Sequence, residues 1–262
     1  MSGQHGDNDV TRPSPARVYD YLLGGTNNWA ADRQAAEAVL ALSPQMRNVA
    51  VENREFLIRA VEHVTRQGAT QFLDLGSGLP TQDNTHQVAQ RHNPDAHVVY
   101  VDRDETVLVE SHALLGDSDT TAYVQADVRD PGKVLEDAVT RRLIDFSRPV
   151  TLLLVAVLHF VPDDDDPAGL VAQYVEALPS GSTVVIASGS SKDMDPDLLD
   201  HINATFSKVP SPLYIRSHRE ITAMFNGLEI LDPGVIPVRD WPTPGQGSRH
   251  PMTTIGGIGR VP

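Results

Sequence analysis

The spacing of apolar positions changes along this chain near residue 70. Upstream of that point, apolar side chains recur on one helix face, which predicts an amphipathic helix that ends at Gly68. The apolar set of this helix is Phe56, Leu57, Ala60, Val61 and Val64. Ser14-Pro15 and Ser43-Pro44 are start signals for helices, because serine is a good N-cap and proline fits the first helical turn. We therefore predict that residues 13–68 are helical.

Downstream of residue 70, short apolar runs alternate with segments of helical character. The predicted strands lie at residues 71–75, 97–102, 123–127, 150–158 and 183–187, and the predicted helices between them near residues 80–91, 105–115, 133–142 and 167–178. The run at 150–158 is apolar throughout, as expected for a central parallel strand that is buried on both faces. This alternation predicts an α/β fold with a parallel, doubly wound sheet.

The last part of the chain is less regular. Asp195-Pro196 starts another predicted helix, and the spacing of Ser217 and Glu220 is typical of a capping box. Residues 228–238 and 252–258 can pair as two final strands, separated by a Pro- and Gly-rich loop that carries Trp241. We expect three parts, namely a disordered tail at residues 1–12, a helical lid or extension at 13–68 and an α/β domain at 69–262.

Composition narrows the functional class. Among 262 residues, 35 are acidic and 21 are basic, which gives a formal net charge of −14 at pH 7. Such a charge repels nucleic-acid phosphates and no Lys/Arg-rich run offsets it, so we expect no nucleic-acid partner. Cysteine is absent, which excludes disulfides, thiolate metal sites and cysteine nucleophiles.

Membrane and metal sites are also not expected. The longest apolar stretch, residues 150–157, is too short to span a bilayer, and the polar start at residues 1–10 does not resemble a signal peptide. We therefore expect a cytoplasmic protein. Four consecutive aspartates at residues 163–166 suggest a metal site at first sight, but before Pro167 they fit a solvated loop that leads into a helix N-terminus.

The sharpest chemical motif is the run LDLGSG at residues 73–78, where the first predicted strand ends. Glycines at a strand-to-helix turn let the backbone approach a ligand closely, although many such turns contain glycine for geometric reasons alone. Asp102 ends the second strand and Asp127 the third, so Asp74, Asp102 and Asp127 are expected at one edge of the sheet. A carboxylate at Asp102 can accept two ribose hydroxyls, and one at Asp127 can accept an adenine amine.

The same motif discriminates among nucleotides. A dinucleotide-binding turn requires Gly or Ala five positions after the first glycine, and Thr81 stands there. The sequence contains neither a P-loop nor the Tyr-x-x-x-Lys pair of short-chain dehydrogenases. An adenosyl ligand without a pyrophosphate fits these motifs better. A different nucleotide-dependent enzyme, such as an oxidoreductase, is a further hypothesis for the function.

These motifs resemble those of class I S-adenosylmethionine-dependent methyltransferases. The sequence is most similar to a bacterial family, common in actinomycetes, that was first filed as a domain of unknown function and later named S-adenosyl methyltransferase. The segments that carry the resemblance are PSPARVYDYLLGG (13–25), NREFL (53–57), QFLDLGSGLPT (71–81), NTH (84–86), VYVD (99–102) and VLHF (157–160). One departure is that Arg103 and Glu105 stand where many relatives have Asn and Pro.

The resemblance implies a Rossmann-like sheet of seven strands whose last strand is antiparallel, preceded by the helical extension. It implies S-adenosylmethionine as cofactor and direct in-line methyl transfer, without identifying the acceptor. The implied cofactor contacts are Asp74, Gly76, Ser77 and Gly78 at the methionine moiety, Asp102 at the ribose, Asp127 and Val128 at the adenine, Arg103 on the adenine face, and Ala156 and His159 beside the sulfonium.

The helical N-terminal segment offers further candidates. Tyr19 and Tyr21 cannot share one helix face, so one is expected to pack and the other to be exposed, or an aromatic such as Tyr19 covers the ligand near the sulfonium cation. Asn53 and Arg54 can hold a methionine carboxylate, or Arg54 forms a salt bridge on the helix surface. We expect the acceptor site to be closed by this segment and by the loop that carries Trp241.

His159 and His86 are the histidines nearest to these motifs. His86 is interpreted as a structural hydrogen-bonding residue. His159 has either a structural role or, with an ordinary pKa of about 6.5, a catalytic role as a base. We favour a methyltransferase that acts on a small molecule, with His159 as the catalytic residue. A non-catalytic S-adenosylmethionine-binding protein on the same fold is the alternative hypothesis, and the oligomeric state is not predicted.

Overall fold

The protein is described here by a computed structural model that places residues 11–80, 83–109, 118–191, 212–245 and 253–262. Three helices precede the sheet within the region 13–68 that is predicted to be helical: α1 (Pro15–Leu22), α2 (Ala30–Leu42) and α3 (Met46–Arg66). The predicted tail at 1–12, apart from Thr11 and Arg12, and the predicted helix after Asp195-Pro196 lie outside the described residues.

The described strands form one eight-stranded sheet. They are β1 (Gln71–Leu75), β2 (His97–Asp102), β3 (Thr121–Gln125), β4 (Thr151–Val155), β5 (Thr183–Ser190), β6 (Glu229–Ile230), β7 (Ile236–Pro237) and β8 (Thr253–Arg260). Their order is β3-β2-β1-β4-β5-β8-β6, and β7 pairs with β8 as well. Strands β1 to β5 are parallel and β8 is antiparallel to β5, which confirms the predicted doubly wound sheet with an antiparallel last strand.

The eighth strand arises because the predicted strand at 228–238 is interrupted. Leu231 accepts a hydrogen bond from the Gly234 amide at 2.9 Å, and Gly234 has a φ of +97°, so the chain turns between β6 and β7. Both short strands pair with β8 and therefore form a single broken edge of the sheet.

The remaining helices are α4 (Thr85–Gln90), α5 (Pro131–Leu135), α6 (Ala138–Leu143), α7 (Pro167–Glu176) and α8 (His218–Ala223), and residues 105–109 are also helical. The prediction of a single helix at 133–142 is wrong. Asp137 caps a new helix there, because its side chain accepts hydrogen bonds from the amides of Val139 and Thr140. The predicted strand 150–158 ends at Val155, because the next residue, Ala156, has a φ of +61°. The Ser217–Glu220 capping box is confirmed at the start of α8.

Alternating side chains divide the core around the sheet into two clusters, one on each face, and a third, small cluster lies among α1, α2 and α3. Along β1, Leu73 and Leu75 belong to the cluster covered by α5, α6, α7 and α8. Phe72 belongs to the cluster covered by α3 and α4. Since Phe56, Ala60 and Val61 of α3 are fully buried in that cluster, α3 is a layer of the α/β unit.

Parallel strands bring their carboxyl ends to one edge of the sheet, and the polar residues that follow β1, β2, β3 and β4 therefore meet there. No described helix is long and apolar enough to cross a membrane. Within the same residues there is no group of three or more His, Asp and Glu side chains with the arrangement of a metal site. Asp166, the last of the four consecutive aspartates, instead caps α7 by accepting a hydrogen bond from the Gly169 amide at 3.1 Å.

Candidate functional site

The glycine loop after β1 is tied to the end of β2. The amides of Gly76 and Ser77 donate to the Val101 carbonyl at 2.8 and 3.2 Å. Gly76 and Gly78 have φ angles of +69° and +64°, a region that side-chain-bearing residues rarely adopt. These glycines therefore give the loop a backbone path on which its amides face the end of the neighbouring strand.

Asp102 is fixed at both carboxylate oxygens by backbone amides. Gly78 donates to Oδ2 at 2.9 Å and Asp104 donates to Oδ1 at 3.0 Å. Burial raises the pKa of Asp102, and the charge of Asp104 acts in the same direction, against the two amides that lower it. Each oxygen of a carboxylate has two lone pairs, so both retain one that can accept a further hydroxyl.

Asp74 lies on β1 beneath the same loop. Its Oδ2 accepts a 2.7 Å hydrogen bond from the Thr85 hydroxyl at the start of α4. Burial raises the pKa of Asp74 to about 6, which outweighs the opposing effects of the Thr85 hydrogen bond and the positive charge of Arg54. A buried carboxylate with an elevated pKa and a single neutral donor is well suited to accept a positively charged ligand group.

Two buried polar atoms near this loop have no hydrogen-bond partner among the described residues. They are Ser77 Oγ in the loop and Asn53 Oδ1 on α3. The amide nitrogen of Asn53 donates to the Tyr19 hydroxyl at 3.1 Å, and that hydroxyl donates to the Ala50 carbonyl at 3.0 Å. Unpaired buried polar groups are costly, so both atoms are candidates for ligand contacts.

The two tyrosines of α1 have different environments. Tyr19 directs its hydroxyl inward to α3, and burial raises its pKa. Tyr21 bonds to Glu37 on an exposed part of α2. The charge of Arg54 acts on both Tyr19 and Asp74, which places α1, α3 and β1 around a common region. Arg54 itself donates to the Asp83 carbonyl at 3.1 Å and lies 3.3 Å from Asn84 Oδ1.

Asp127 is engaged by an arginine two residues away. Arg129 Nε and Nη2 lie 3.0 and 2.7 Å from its two oxygens, and Arg129 Nη1 donates to Asp165 Oδ2 at 3.1 Å. Burial alone raises the pKa of Asp127, but the bonds from Arg129 reverse the direction and lower it. The Tyr174 hydroxyl donates to the Val128 carbonyl at 2.8 Å. Beside this group lies a cavity of about 350 Å³, which is also lined by Leu170 and Gln173.

Arg103 and Ala156 follow β2 and β4. Arg103 is exposed, and its carbonyl lies 3.4 Å from Gln125 Nε2. Ala156 has a positive φ, and its amide donates to the Ala187 carbonyl at 2.9 Å, so the chain leaves β4 in a sharp turn. A non-glycine residue in this conformation carries backbone strain, which is often found at functional sites.

His159 lies in a 3₁₀ turn after β4 (Leu158–Phe160). Its Nδ1 faces the Gly189 amide at 3.5 Å, near the end of β5, and its ring packs edge-on against Phe160. Burial lowers the pKa of His159 to about 4, and the positive charge of Arg216 contributes. This pKa lies below the ordinary value near 6.5, so the imidazole is expected to stay neutral well below pH 6.5.

Arg216 fixes the turn that carries His159. Its guanidinium donates to the carbonyls of Leu158 and Val161 at 2.8 and 2.6 Å and to Asp163 Oδ1 at 2.7 Å. Arg216 is 4% exposed and therefore buried among these acceptors. No sequence motif predicts this role, because Arg216 is separated from Leu158 by 58 positions.

Other candidates lie elsewhere. His86 Nδ1 is 2.8 Å from the buried Tyr100 hydroxyl, which confirms its structural interpretation. Trp241 is buried against Phe56 and His63 of α3, with ring centroids 5.5 and 5.3 Å from theirs, so its large apolar ring is part of the core. The loop that carries Trp241 lies partly outside the described residues, and its closure of the acceptor site stays a prediction.

The comparisons with known proteins point to one family. A family model described as S-adenosyl methyltransferase matches residues 2–262. A DUF574 family protein from Streptomyces avermitilis is 36% identical, with a TM-score of 0.91 over 97% of this chain and 99% of that chain. A candidate methyltransferase from Thermobifida fusca is 39% identical, with a TM-score of 0.90 over 97% of this chain and 96% of that chain.

More distant structures show the fold alone. The mitomycin 7-O-methyltransferase MmcR is 17% identical, with a TM-score of 0.50 over 95% of this chain and 69% of that chain. Comparison with curated proteins finds no match. The family model and the two similar structures confirm the resemblance carried by the sequence motifs, and the chain belongs to the S-adenosyl methyltransferase family.

Proposed function

We propose that the protein binds S-adenosylmethionine across the carboxyl ends of β1, β2 and β4 and transfers its methyl group to a small molecule. The observation that carries this proposal is the geometry of Asp102. Its carboxylate is fixed at both oxygens by the amides of Gly78 and Asp104 and retains acceptor capacity for two hydroxyls. A vicinal ribose diol has the matching pair of donors.

The polar atoms around the glycine loop fit the rest of the cofactor. Ser77 Oγ and Asn53 Oδ1 are buried without partners in the described part of the chain, and Asp74 has an acceptor oxygen to spare. The methionine moiety of the cofactor carries both an ammonium donor and a carboxylate acceptor. It can therefore satisfy acceptors such as Asn53 and Asp74 and a hydroxyl such as Ser77.

The full set of proposed cofactor contacts is the one that the family resemblance implies, with Tyr19 added. They are Asp74, Gly76, Ser77 and Gly78 for the methionine moiety, Asp102 for the ribose, Asp127, Val128 and Arg103 for the adenine, and Tyr19 and Ala156 near the sulfonium. Arg129 donates to Asp127 Oδ1 from both its amide and Nε, and to Oδ2 from Nη2, so Oδ2 keeps a second lone pair that can accept an adenine amine. Asp127 is therefore proposed to bind adenine with Arg129 in place.

The cofactor supplies an electrophilic methyl group on a sulfonium cation, and the chain supplies alignment. Correct placement of two reactants contributes up to about 7–11 kcal/mol in favourable cases. The strained turn at Ala156 and the Arg216 bonds hold residues 156–161 in one conformation beside the site. We propose that this turn forms one wall of the acceptor pocket.

His159 is proposed as the residue that contacts the acceptor. Since its pKa is about 4, the imidazole is neutral at pH 7 and does not repel the cationic cofactor. A neutral ring can accept a proton from an O–H or N–H nucleophile or orient it through a hydrogen bond. Either role requires the ring to stay where Arg216 and the end of β5 place it.

Binding is tested by calorimetry with S-adenosylmethionine, S-adenosylhomocysteine and NAD on the wild type, Gly78→Ala and Gly68→Ala. Both glycines have positive φ and room for a methyl group, but Gly68 follows α3 and is remote from the loop. We expect the two adenosyl ligands to bind and NAD not to. We expect Gly78→Ala to lose at least about tenfold in affinity while Gly68→Ala keeps it. Tight NAD binding, or equal affinities in the two variants, would contradict the proposed site.

Catalysis is tested separately from binding. The protein is incubated with methyl-tritiated S-adenosylmethionine and a fractionated metabolite extract, and labelled products are sought below about 1 kDa. Transfer into one such product, absent with a boiled sample and weakened in His159→Gln, supports a small-molecule methyltransferase. Cofactor binding without transfer to any fraction favours the alternative of a non-catalytic binding protein.

A further inference from the structure

Helix α1 is held by a buried network centred on Asp32 of α2. Asp32 Oδ1 accepts the Ser14 amide at 2.9 Å, and Oδ2 accepts Arg17 Nε and the Trp29 amide at 2.8 Å each. The side chains of Arg17 and Asp32 are 2% and 0% exposed, and the guanidinium lies 4.0 Å from the centre of the Trp29 ring. The position of α1 relative to α2 is thus fixed by a fully desolvated ion pair.

The same two residues of α1 reach the turn that follows β2. The Ser14 hydroxyl donates to Asp104 Oδ2 at 2.5 Å. Arg17 Nη1 donates to the Thr106 hydroxyl at 3.1 Å and lies 3.9 Å from the same Asp104 oxygen. The other oxygen of Asp104 accepts the amide and the hydroxyl of Thr106, so its carboxylate is held from both sides.

Asp104 in turn holds the proposed ribose carboxylate, since its backbone amide donates to Asp102 Oδ1. From these contacts we infer that Ser14, Arg17 and Asp104 are positioning residues for Asp102, so that α1 contributes to the ribose site. The hydrogen bonds run from Ser14 to Asp104 and from Asp104 to Asp102 without interruption. This inference rests on the proposed function, because it assigns Asp102 to the cofactor ribose.

A role in helix capping does not explain Ser14. It occupies the N-cap position of α1, where serine normally accepts an amide of the first turn, but its side chain makes no capping bond. Its hydroxyl is used for Asp104 instead. Ala16, two residues later, lies on the side of Gly78 to which a side chain would point, 3.9 Å from the position of a Cβ on that glycine. Helix α1 therefore contacts Asp104 and passes close to Gly78, the two residues whose amides fix Asp102.

The test measures how well the protein recognises one ribose hydroxyl. Calorimetry gives the affinity for S-adenosylhomocysteine and for its 2′-deoxy analogue, and the ratio of the two reports the contribution of Asp102. For the wild type we expect a ratio of about 10 to 100, the range for a hydrogen bond to a charged group. We expect Ser14→Ala to reduce this ratio at least about threefold and Ser14→Thr, which keeps the hydroxyl, to restore it.

Tyr21→Phe is the matched control. Tyr21 also lies on α1 and donates its hydroxyl to a carboxylate at 2.5 Å, but its partner is Glu37 and not Asp104. We expect its affinity ratio to equal that of the wild type. In the Asp102→Ala background, Ser14→Ala is expected to have no further effect on the ratio, because the residue through which it acts is gone.

The outcomes separate this inference from the proposed function. If Ser14→Ala weakens both ligands by one factor, or changes neither affinity, Ser14 has only a structural role and the inference is overturned. If the wild type binds neither ligand, the proposed function itself fails. Should Ser14→Ala not fold, Ser14→Gly is measured in the same way, since glycine is well tolerated at an N-cap position and also lacks the hydroxyl that holds Asp104.

Discussion

Gly76 lies directly against Val157, and a Cβ built on Gly76 would stand 2.3 Å from Val157 Cγ2. This contact joins the loop after β1 to the turn after β4, two strands that are neighbours in the sheet. The turn therefore comes so close to the loop that residue 76 has no room for a side chain. The methionine end of the proposed cofactor site and the turn that carries His159 are packed on each other at this point.

Gly76→Ala is expected to destabilise the protein much more than Gly78→Ala. Both changes place a side chain at positive φ, which costs about 1–2 kcal/mol. Only the first adds a clash with Val157, and overpacking of this kind costs a further 1–3 kcal/mol or so. Chemical denaturation of the two variants measures the difference, and equal free energies of unfolding would show that the turn after β4 yields freely.

Asp74→Asn is expected to stabilise the ligand-free protein at neutral pH while weakening cofactor binding. Burial raises the pKa of Asp74 to about 6, so the folded state binds more protons than the unfolded state between about pH 4 and pH 6. The stability of the wild type therefore falls as pH rises through that window, by up to about 3 kcal/mol from this group at about 1.4 kcal/mol per pKa unit.

The measurement is the free energy of unfolding of both proteins from pH 4 to pH 7.5. The advantage of Asp74→Asn is expected to be small near pH 4 and to reach its plateau above about pH 7. Thr85→Val, which removes the hydroxyl donor but keeps the carboxylate, is the control and is expected to be less stable than the wild type at pH 7. An Asp74→Asn variant less stable than the wild type at every pH would contradict the assignment.

The sheet could be predicted from the sequence because its signals are local. Apolar runs and their spacing place β1, β2 and β5 within a few residues. The breaks in the pattern could not be predicted, because they come from tertiary contacts. The positive φ of Ala156 ends β4 early, although its local sequence is as apolar as a strand.

Part of the candidate site could also be predicted from the sequence. The glycine loop and Asp102 lie together as the order of the strands requires. No sequence motif predicts the ion pair of Arg17 and Asp32, because the two residues are distant along the chain. The same holds for the hydrogen bonds from Arg216 to residues 158–161. The lowered pKa of His159 depends on burial and on Arg216, so no sequence pattern reports it.

Arg17→Met is expected to cost about 3–5 kcal/mol, because it leaves Asp32 buried without its cation. The double variant Arg17→Met/Asp32→Asn is expected to recover part of that loss, since no buried charge is left unpaired. Glu136→Ala breaks the exposed pair with Arg141 and is expected to cost less than about 1 kcal/mol. Denaturant unfolding of the three variants checks the order, and a loss for Arg17→Met as small as that for Glu136→Ala would contradict it.

His159 differs from an ordinary histidine in its lowered pKa, and this predicts an unusual pH dependence. A pKa of about 4 means that the folded protein holds the ring neutral where the unfolded chain, with a pKa near 6.5, is protonated. The folded state therefore binds fewer protons between about pH 4 and 6.5, and its stability falls as pH falls through that window. His159→Gln is expected to lose this part of the pH dependence.

The titration is followed directly by NMR of the imidazole Cε1 proton, with His159→Gln assigning the resonance. We expect no titration of His159 between pH 5.5 and 8 and, once an acceptor is known, no loss of kcat from this residue above about pH 5, because the neutral ring persists there. Arg216→Met removes the nearby positive charge, so in a folded variant the titration midpoint of His159 is expected to shift to higher pH. A resonance that titrates near pH 6.5 in the wild type would show that the ring is solvated and would return His159 to the behaviour expected from the sequence.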